Sequence, residues 1–132
     1  MISACASLRP SIEDRDLLLG SIRQFHRALA DQDTARALRY LPPDQRSRSQ
    51  ALLNCFYRRI RVLEYRLGEL ESTGDPKEAK ISVQVTSQAW NDLAAREFLW
   101  EEQWVFADQG WNVRLDFEPF LGFETDCTPV SP

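Results

Sequence analysis

The hydrophobic pattern of the chain changes near Arg59, from a helical repeat to strict alternation. Before this point, apolar residues recur at spacings of three and four, which predicts an amphipathic helix: Leu18, Ile22, Phe25 and Leu29. Ser11 is placed to cap this first helix, which should run to about Ala30. Such a stripe must lie on an apolar surface elsewhere in the fold.

Two shorter helices should follow. Asp33 or Thr34 can cap the second helix, and Pro42 with Pro43 ends it. Asp44 is placed to cap a third helix that runs to about Tyr57. The N-terminal part of the chain therefore predicts three helices.

After Arg59, apolar and polar residues alternate in four runs, as expected for half-buried strands. The apolar positions are Leu63, Tyr65 and Leu67 in the first run, Ile81, Val83 and Val85 in the second, those of the Ala95 to Ala107 segment in the third, and Val113, Leu115 and Phe117 in the fourth. Turn-forming residues separate the runs at Thr73–Pro76, Asn91–Asp92 and Asp108–Gly110. These turns are too short for crossover helices, so the sheet should be antiparallel and the fold α+β.

Length and charge narrow the class of protein. With 132 residues, 43% of them hydrophobic, the chain fits one domain: a tether over residues 1–10, the folded domain over 11–120 and an irregular tail over 121–132. A net charge of -4 and an isoelectric point near 5.0 argue against a nucleic-acid surface, although the 14 arginines could still form a local patch. No apolar run is long enough to cross a bilayer. One histidine and three scattered cysteines predict no metal site, and no motif indicates a cofactor.

The cysteines bear on the cellular compartment. Residues Ile2 to Cys5 resemble the lipobox of bacterial lipoproteins, in which the cysteine carries lipid. Only Met1 stands where the charged and apolar segments of a lipoprotein signal are expected, so the sequence as given would begin inside a longer signal or at the mature end, or the match is chance. If Cys5 is lipidated, Cys55 and Cys127 form the one possible disulfide of an oxidising periplasm. We therefore expect a lipid-anchored domain in the bacterial periplasm or on the outer surface, with membrane contact only through Cys5. The alternative is a cytoplasmic protein with three reduced thiols.

The order of elements resembles the NTF2-like superfamily, which includes SnoaL-like and ketosteroid isomerase-like proteins. The resemblance spans about residues 12 to 118 and rests on spacing and on these residues: Phe25, Ala28, Leu29, Asp33, Ala37, Tyr40, Leu41, Pro42, Trp100, Trp104 and Trp111. It implies a cone, in which a curved four-stranded sheet wraps around three helices and leaves an apolar pocket. A cystatin-like fold, with a helix packed on a sheet, is the alternative.

The third strand carries the candidate catalytic residue. One of its faces holds Glu102 among four aromatic side chains: Phe98, Trp100, Trp104 and Phe106. If this face points inward, the carboxylate needs a partner or a ligand, and Glu102 is the candidate acid or base. If it points outward, Glu102 pairs with Arg66 or Arg114. His26, beside the apolar stripe of the first helix, is expected at the helix flank.

The other candidates would line the pocket. Tyr40, Tyr57 and Tyr65 could each donate a hydrogen bond to a ligand, with Phe98, Trp100 and Trp104 forming apolar walls. Alternatively, these residues are ordinary core. No aspartate matches the general base that the resemblance to ketosteroid isomerases implies.

Three functions remain open. The first is a non-catalytic envelope domain that binds a small hydrophobic ligand or a protein partner. The second is an acid/base enzyme of the isomerase or dehydratase type that acts on a small organic substrate. The third is assembly, such as a homodimer, through the open sheet face.

Overall fold

The computed structural model describes residues 12–90, 93–107 and 110–114, with side chains from residue 15 onward. Helices α1 (Ile12–Ala30), α2 (Thr34–Leu38) and α3 (Arg46–Arg59) precede strands β1 (Ile60–Ser72), β2 (Glu78–Ala89), β3 (Ala95–Ala107) and β4 (Gly110–Arg114). Within these residues the strands form one antiparallel sheet in the order β1-β2-β3-β4. The α+β prediction of three helices and a four-stranded antiparallel sheet is thus confirmed.

The starts of α2 and α3 differ in their capping. Asp33 caps α2, as predicted, because its carboxylate accepts a hydrogen bond from the backbone N–H of Arg36 at 3.2 Å. The expected cap at Asp44 is wrong, since Asp44 lies inside a short 3-10 helix, Pro43–Gln45, and α3 begins after it. The fixed φ of Pro43 suits the first position of such a tight helix, so the residue that precedes α3 is Gln45 instead of Asp44, and α3 begins at Arg46.

Strand β1 departs from simple alternation at two places. Val62 pairs with Ser87 and Glu64 with Thr86, so Leu63 is an extra residue in a bulge. For this reason Leu63 is 46% exposed and does not share the face of Tyr65 that the alternation predicted. A second irregularity lies between Leu67 and Leu70. Bulges increase local twist, which lets a sheet curve around helices.

Gly68 stands at the second irregularity of β1. A Cβ atom at this position would lie 2.7 Å from the backbone oxygen of Ser82 on β2. Real Cβ atoms do not approach backbone that closely, so the two strands can meet here only because residue 68 has no side chain.

The core lies between the helices and the inner face of the sheet. The predicted stripe of α1 is buried, and Ile81, Val83 and Val85 meet it from β2. Aromatic rings join the two layers: Phe25 lies edge-on to Trp104 with 5.8 Å between ring centroids, and Phe56 stacks on Trp100 at 6.1 Å. The helical layer and the sheet therefore share one core.

Several expectations fall outside the described residues: the Asn91–Asp92 turn, Asp108, the fourth strand beyond Arg114, the tether with Cys5, and the tail with Cys127. Cys55, on α3, is buried and disulfide-bonded, and its partner also lies outside the described part of the chain. Its pairing with Cys127 stays a prediction. In the part of the chain that is described, no helix is long and apolar enough to cross a membrane.

Candidate functional site

Glu102 lies on the inner face of the sheet. The pairing of β2 with β3 runs without a register shift from Glu78 opposite Val105 to Gln88 opposite Ala95, so the alternation of β3 is intact. Trp100, Glu102 and Trp104 therefore all point toward the helices and are buried. Neither arginine considered as a partner reaches Glu102 from this side: Arg66 contacts Glu64, and Arg114 lines the outer face.

The partner of Glu102 is His26 of α1. Its Nε2 lies 2.6 Å from Oε2 of Glu102, and the two side chains are only 2% and 0% exposed. The other carboxylate oxygen, Oε1, accepts a hydrogen bond from the indole N–H of Trp104 at 3.0 Å. His26 and Glu102 thus form a buried acid–base pair that Trp104 orients.

The burial of His26 differs from the helix-flank position that the sequence suggested. The curved sheet covers a broader face of α1 than a narrow stripe, so Phe25 and His26 are both buried. The spacing did contain the signal, because His26 follows Ile22 by four residues and precedes Leu29 by three. A histidine at a core spacing together with a carboxylate at a core strand position indicates such a pair.

Aromatic rings surround the pair and keep water from it. The ring of His26 lies 5.3 Å from that of Phe25, 5.2 Å from that of Tyr65 and 6.2 Å from that of Trp100, measured between centroids. The Nε2–Oε2 contact is short but is not aligned as a hydrogen bond, and neither atom has another hydrogen-bond partner. These two atoms therefore depend on each other for electrostatic compensation, while Oε1 of Glu102 has the indole N–H of Trp104.

The three tyrosines of the predicted pocket direct their hydroxyls elsewhere. Tyr40 donates to Oε1 of Gln24 at 2.7 Å, and Tyr65 donates to the backbone oxygen of Arg23 at 3.4 Å. The hydroxyl of Tyr57 is buried without a hydrogen bond of good geometry. Burial, followed by the nearby carboxylate of Asp33, raises the pKa of Tyr57 to about 12, against a smaller opposing effect of the Thr34 hydroxyl.

The inner face is closed around Glu102 by packed side chains. Phe25, His26, Trp100 and Trp104 are each 2% exposed or less, and Phe98 packs half-buried against the same core. Of the residues predicted to line a pocket with Glu102, Tyr40 and Trp104 contact each other, with 6.1 Å between ring centroids, and binding of a ligand by this set stays a prediction. Among the described residues there is no cluster of three or more metal-binding side chains.

A depression of about 660 Å³ opens on the opposite, outer face of the sheet. Its lining includes the outer-face residues Glu71, Lys80, Ser82, Glu101, Gln103 and Arg114. Ile81 and Glu102 also border it, although their side chains are buried on the inner face. Opposing charges lie on neighbouring strands, as with Glu71 of β1 opposite Lys80 of β2. Most of its lining residues are charged or polar, unlike those of the apolar pocket that the resemblance implies.

No family model matches the chain, and no curated protein matches it either. Solved structures do. A SEC-C motif containing protein from Rhodopseudomonas palustris aligns at TM-score 0.60 with 14% identity, over 70% of this chain and 71% of that one. A protein of unknown function with a cystatin-like fold from Nostoc punctiforme aligns at TM-score 0.55 with 16% identity, over 80% and 89%.

An LEH-like epoxide hydrolase from M. tuberculosis aligns at TM-score 0.54 with 14% identity, over 76% of this chain and 83% of that one. At these identities the likeness shows the fold alone. The chain thus has the α+β fold shared by cystatin-like and NTF2-like proteins, as the sequence predicted.

Proposed function

We propose that this chain is a non-catalytic NTF2-like domain of a bacterial envelope protein, and that it works by binding a protein partner on its surface. One observation carries the proposal. The interior position at which such a fold would hold a small molecule is filled by the packed side chains of Phe25, His26, Glu102 and Trp104. A small ligand would have to displace core aromatics to reach Glu102, which costs several kcal/mol for each large side chain removed from its packing.

The envelope location draws on two features. Residues Ile2 to Cys5 fit a lipidation site, and Cys55 is disulfide-bonded. Disulfides persist in oxidising compartments and are rare in the bacterial cytoplasm. On this proposal Cys5 carries the anchor, residues 1–10 are the tether, and Cys55 pairs with Cys127.

A second copy of the chain is the first partner to test, through the outer sheet face. Leu99 is 69% exposed there, and it lies near a surface that carries both acids and bases. Two copies related by a twofold axis can set acids of one against bases of the other, because such an interface brings the same patch of each subunit together.

Light scattering coupled to gel filtration tests this interface. The unaltered protein should run as a dimer at micromolar concentration, and Leu99→Glu should run as a monomer with unchanged circular dichroism. Leu17→Glu is the matched control, since Leu17 is 64% exposed on α1 and lies away from the sheet. A monomeric unaltered protein, or equal behaviour of the two variants, would reject the homodimer and leave a different protein as partner.

Binding of a small hydrophobic ligand is tested separately. Native mass spectrometry of the purified protein should show the mass of the chain alone, because the side chains around the Glu102 carboxylate are buried against one another. A bound molecule that disappears when Trp104 is replaced by Phe would place a ligand in the interior and contradict the filled-core argument.

An acid/base enzyme is the second candidate, and the His26–Glu102 pair favours it. A carboxylate and an imidazole are the side-chain types that most often give or take a substrate proton in general acid–base catalysis, and here they lie 2.6 Å apart. The activity assay should test substrates of isomerases and dehydratases, together with epoxides, because one structural neighbour is an LEH-like epoxide hydrolase. If the protein turns over a substrate and Glu102→Gln abolishes this activity without loss of fold, the protein is an enzyme. If turnover does not exceed the rate in buffer without protein, the proposal of a non-catalytic binding domain stands.

A further inference from the structure

One end of the sheet carries an exposed apolar surface. Trp90, directly after β2, is 57% exposed, and Leu93, which precedes β3, is 96% exposed. The ring of Trp90 is held in place from beneath, because its indole N–H donates to the backbone oxygen of Tyr57 at 2.9 Å. The backbone of Leu93 is fixed by Gln88, whose side-chain amide donates to its carbonyl at 3.1 Å. Both side chains thus project from an ordered base.

Arginines border this surface. The guanidinium of Arg61 lies 5.9 Å from the centroid of the Trp90 ring, a cation–π contact. Arg58, in the last turn of α3, is also exposed. We call Arg58, Arg61, Trp90 and Leu93 the hairpin-end patch. Arg61 pairs with Gln88 across the two strands, so the cation, the amide that holds Leu93 and the indole are neighbours.

The charge of this end is opposite to that of the chain. Residues 57–61 and 88–96 contain four arginines and one acid, although the whole chain carries a net charge of -4. A further acid, Asp33, lies near Tyr57, and it is already paired with Arg36 at 3.6 Å. Arg58 and Arg61, both exposed, give this end positive charge that an anionic partner would complement.

We propose that the hairpin-end patch docks on an anionic lipid surface, with Leu93 and the Trp90 ring entering the headgroup region and Arg58 and Arg61 contacting lipid phosphates. The shape favours a membrane over an acidic peptide, because Leu93 projects almost fully exposed and no groove is described at this end to receive a peptide side chain. Tryptophan with flanking arginines is the composition that membrane interfaces favour. Each arginine near an anionic surface strengthens binding, and the effect weakens as salt screens it.

This docking does not need the lipid on Cys5, but it would complement it. A basic patch commonly adds electrostatic attraction to the attachment that a lipid provides. The patch would then also orient the domain, with the β2–β3 end toward the bilayer.

Co-sedimentation of the full, unlipidated chain with vesicles tests the proposal. The protein should bind vesicles of phosphatidylcholine mixed equally with phosphatidylglycerol, and should stay in the supernatant with phosphatidylcholine alone. Both Leu93→Glu and the pair Arg58→Glu with Arg61→Glu should weaken binding by about tenfold or more. All three side chains are exposed, so the fold should survive, which circular dichroism checks.

The matched controls are Leu17→Glu and Arg15→Glu. Both residues are exposed near the start of α1, about 20 Å along the helix from its end beside Tyr57, at 1.5 Å per residue. They should leave vesicle binding unchanged. Equal binding to neutral vesicles, equal losses in control and patch variants, or binding to polyglutamate but not to vesicles would each overturn the proposal. None of these outcomes bears on the sheet-face interface.

Discussion

Replacing His26 by alanine should lower the free energy of unfolding by more than the lost volume of the imidazole ring explains. His26→Ala leaves the carboxylate of Glu102 buried, with its Oε2 facing the space of the lost imidazole and only Trp104 still bonded to Oε1. Breaking a buried pair from one side typically costs about 3–5 kcal/mol, because the remaining charge has no compensation. This is a large part of the roughly 5–15 kcal/mol that stabilises an ordinary domain.

A second substitution separates the electrostatic part of this loss of unfolding free energy from the part that is due to packing. Glu102→Gln keeps the shape of the side chain and an oxygen for the indole of Trp104, so alone it should cost about 1–2 kcal/mol. In the double variant no buried carboxylate is left, and only the cavity of the lost ring remains. The double variant should therefore be more stable than the sum of the single losses predicts, by about 1–3 kcal/mol.

Urea unfolding measures these values, followed by far-ultraviolet circular dichroism. Tryptophan fluorescence is a second probe only, because Trp104 is itself bonded to Glu102. Arg27→Ala is the matched control on the same helix, since Arg27 is exposed and its removal should change stability by less than about 0.5 kcal/mol.

A coupling energy below about 0.5 kcal/mol would refute the reasoning, because residues in direct contact exceed that value. It would mean that the loss in His26→Ala comes from lost packing and that the 2.6 Å contact carries no net energy.

Three further outcomes are expected. The pKa of Tyr57, raised to about 12, means that the folded state holds the phenolic proton more tightly than the unfolded state does. The stability that this residue contributes is therefore complete below about pH 10 and is lost between about pH 10 and 12. When urea unfolding is compared at pH 9 and 11, Tyr57→Phe should lose less stability than the unaltered protein. Gly68→Ala should cost about 1–3 kcal/mol in urea unfolding because its Cβ meets β2, whereas Gly20→Ala, with nothing within 4 Å, should be neutral or stabilising by up to about 1 kcal/mol. Peptide mapping without reductant should recover Cys55 joined to Cys127, and a free thiol at Cys127 would contradict that pairing.

Local rules account for most of the architecture. The spacing of apolar residues in α1, the cap at Asp33 and the alternation of β2 and β3 each express a local period, and the structure reproduces them. Where a local rule failed, a non-local contact was the reason. Leu63 does not lie on the face that the alternation predicted, because β1 has a bulge there, and the bulge is apparent only from the pairing of β1 with β2.

The sequence by itself determined the α+β fold, the order of its elements and the position of Glu102 on an aromatic strand face. Tertiary structure alone decided which way that face points and what answers the carboxylate, because 76 residues separate His26 from Glu102 along the chain. It also decided where the hairpin-end patch forms, since the guanidinium of Arg61 reaches the Trp90 ring only when β1 pairs with β2. A period can assign a residue to a face, but only packing brings two faces together.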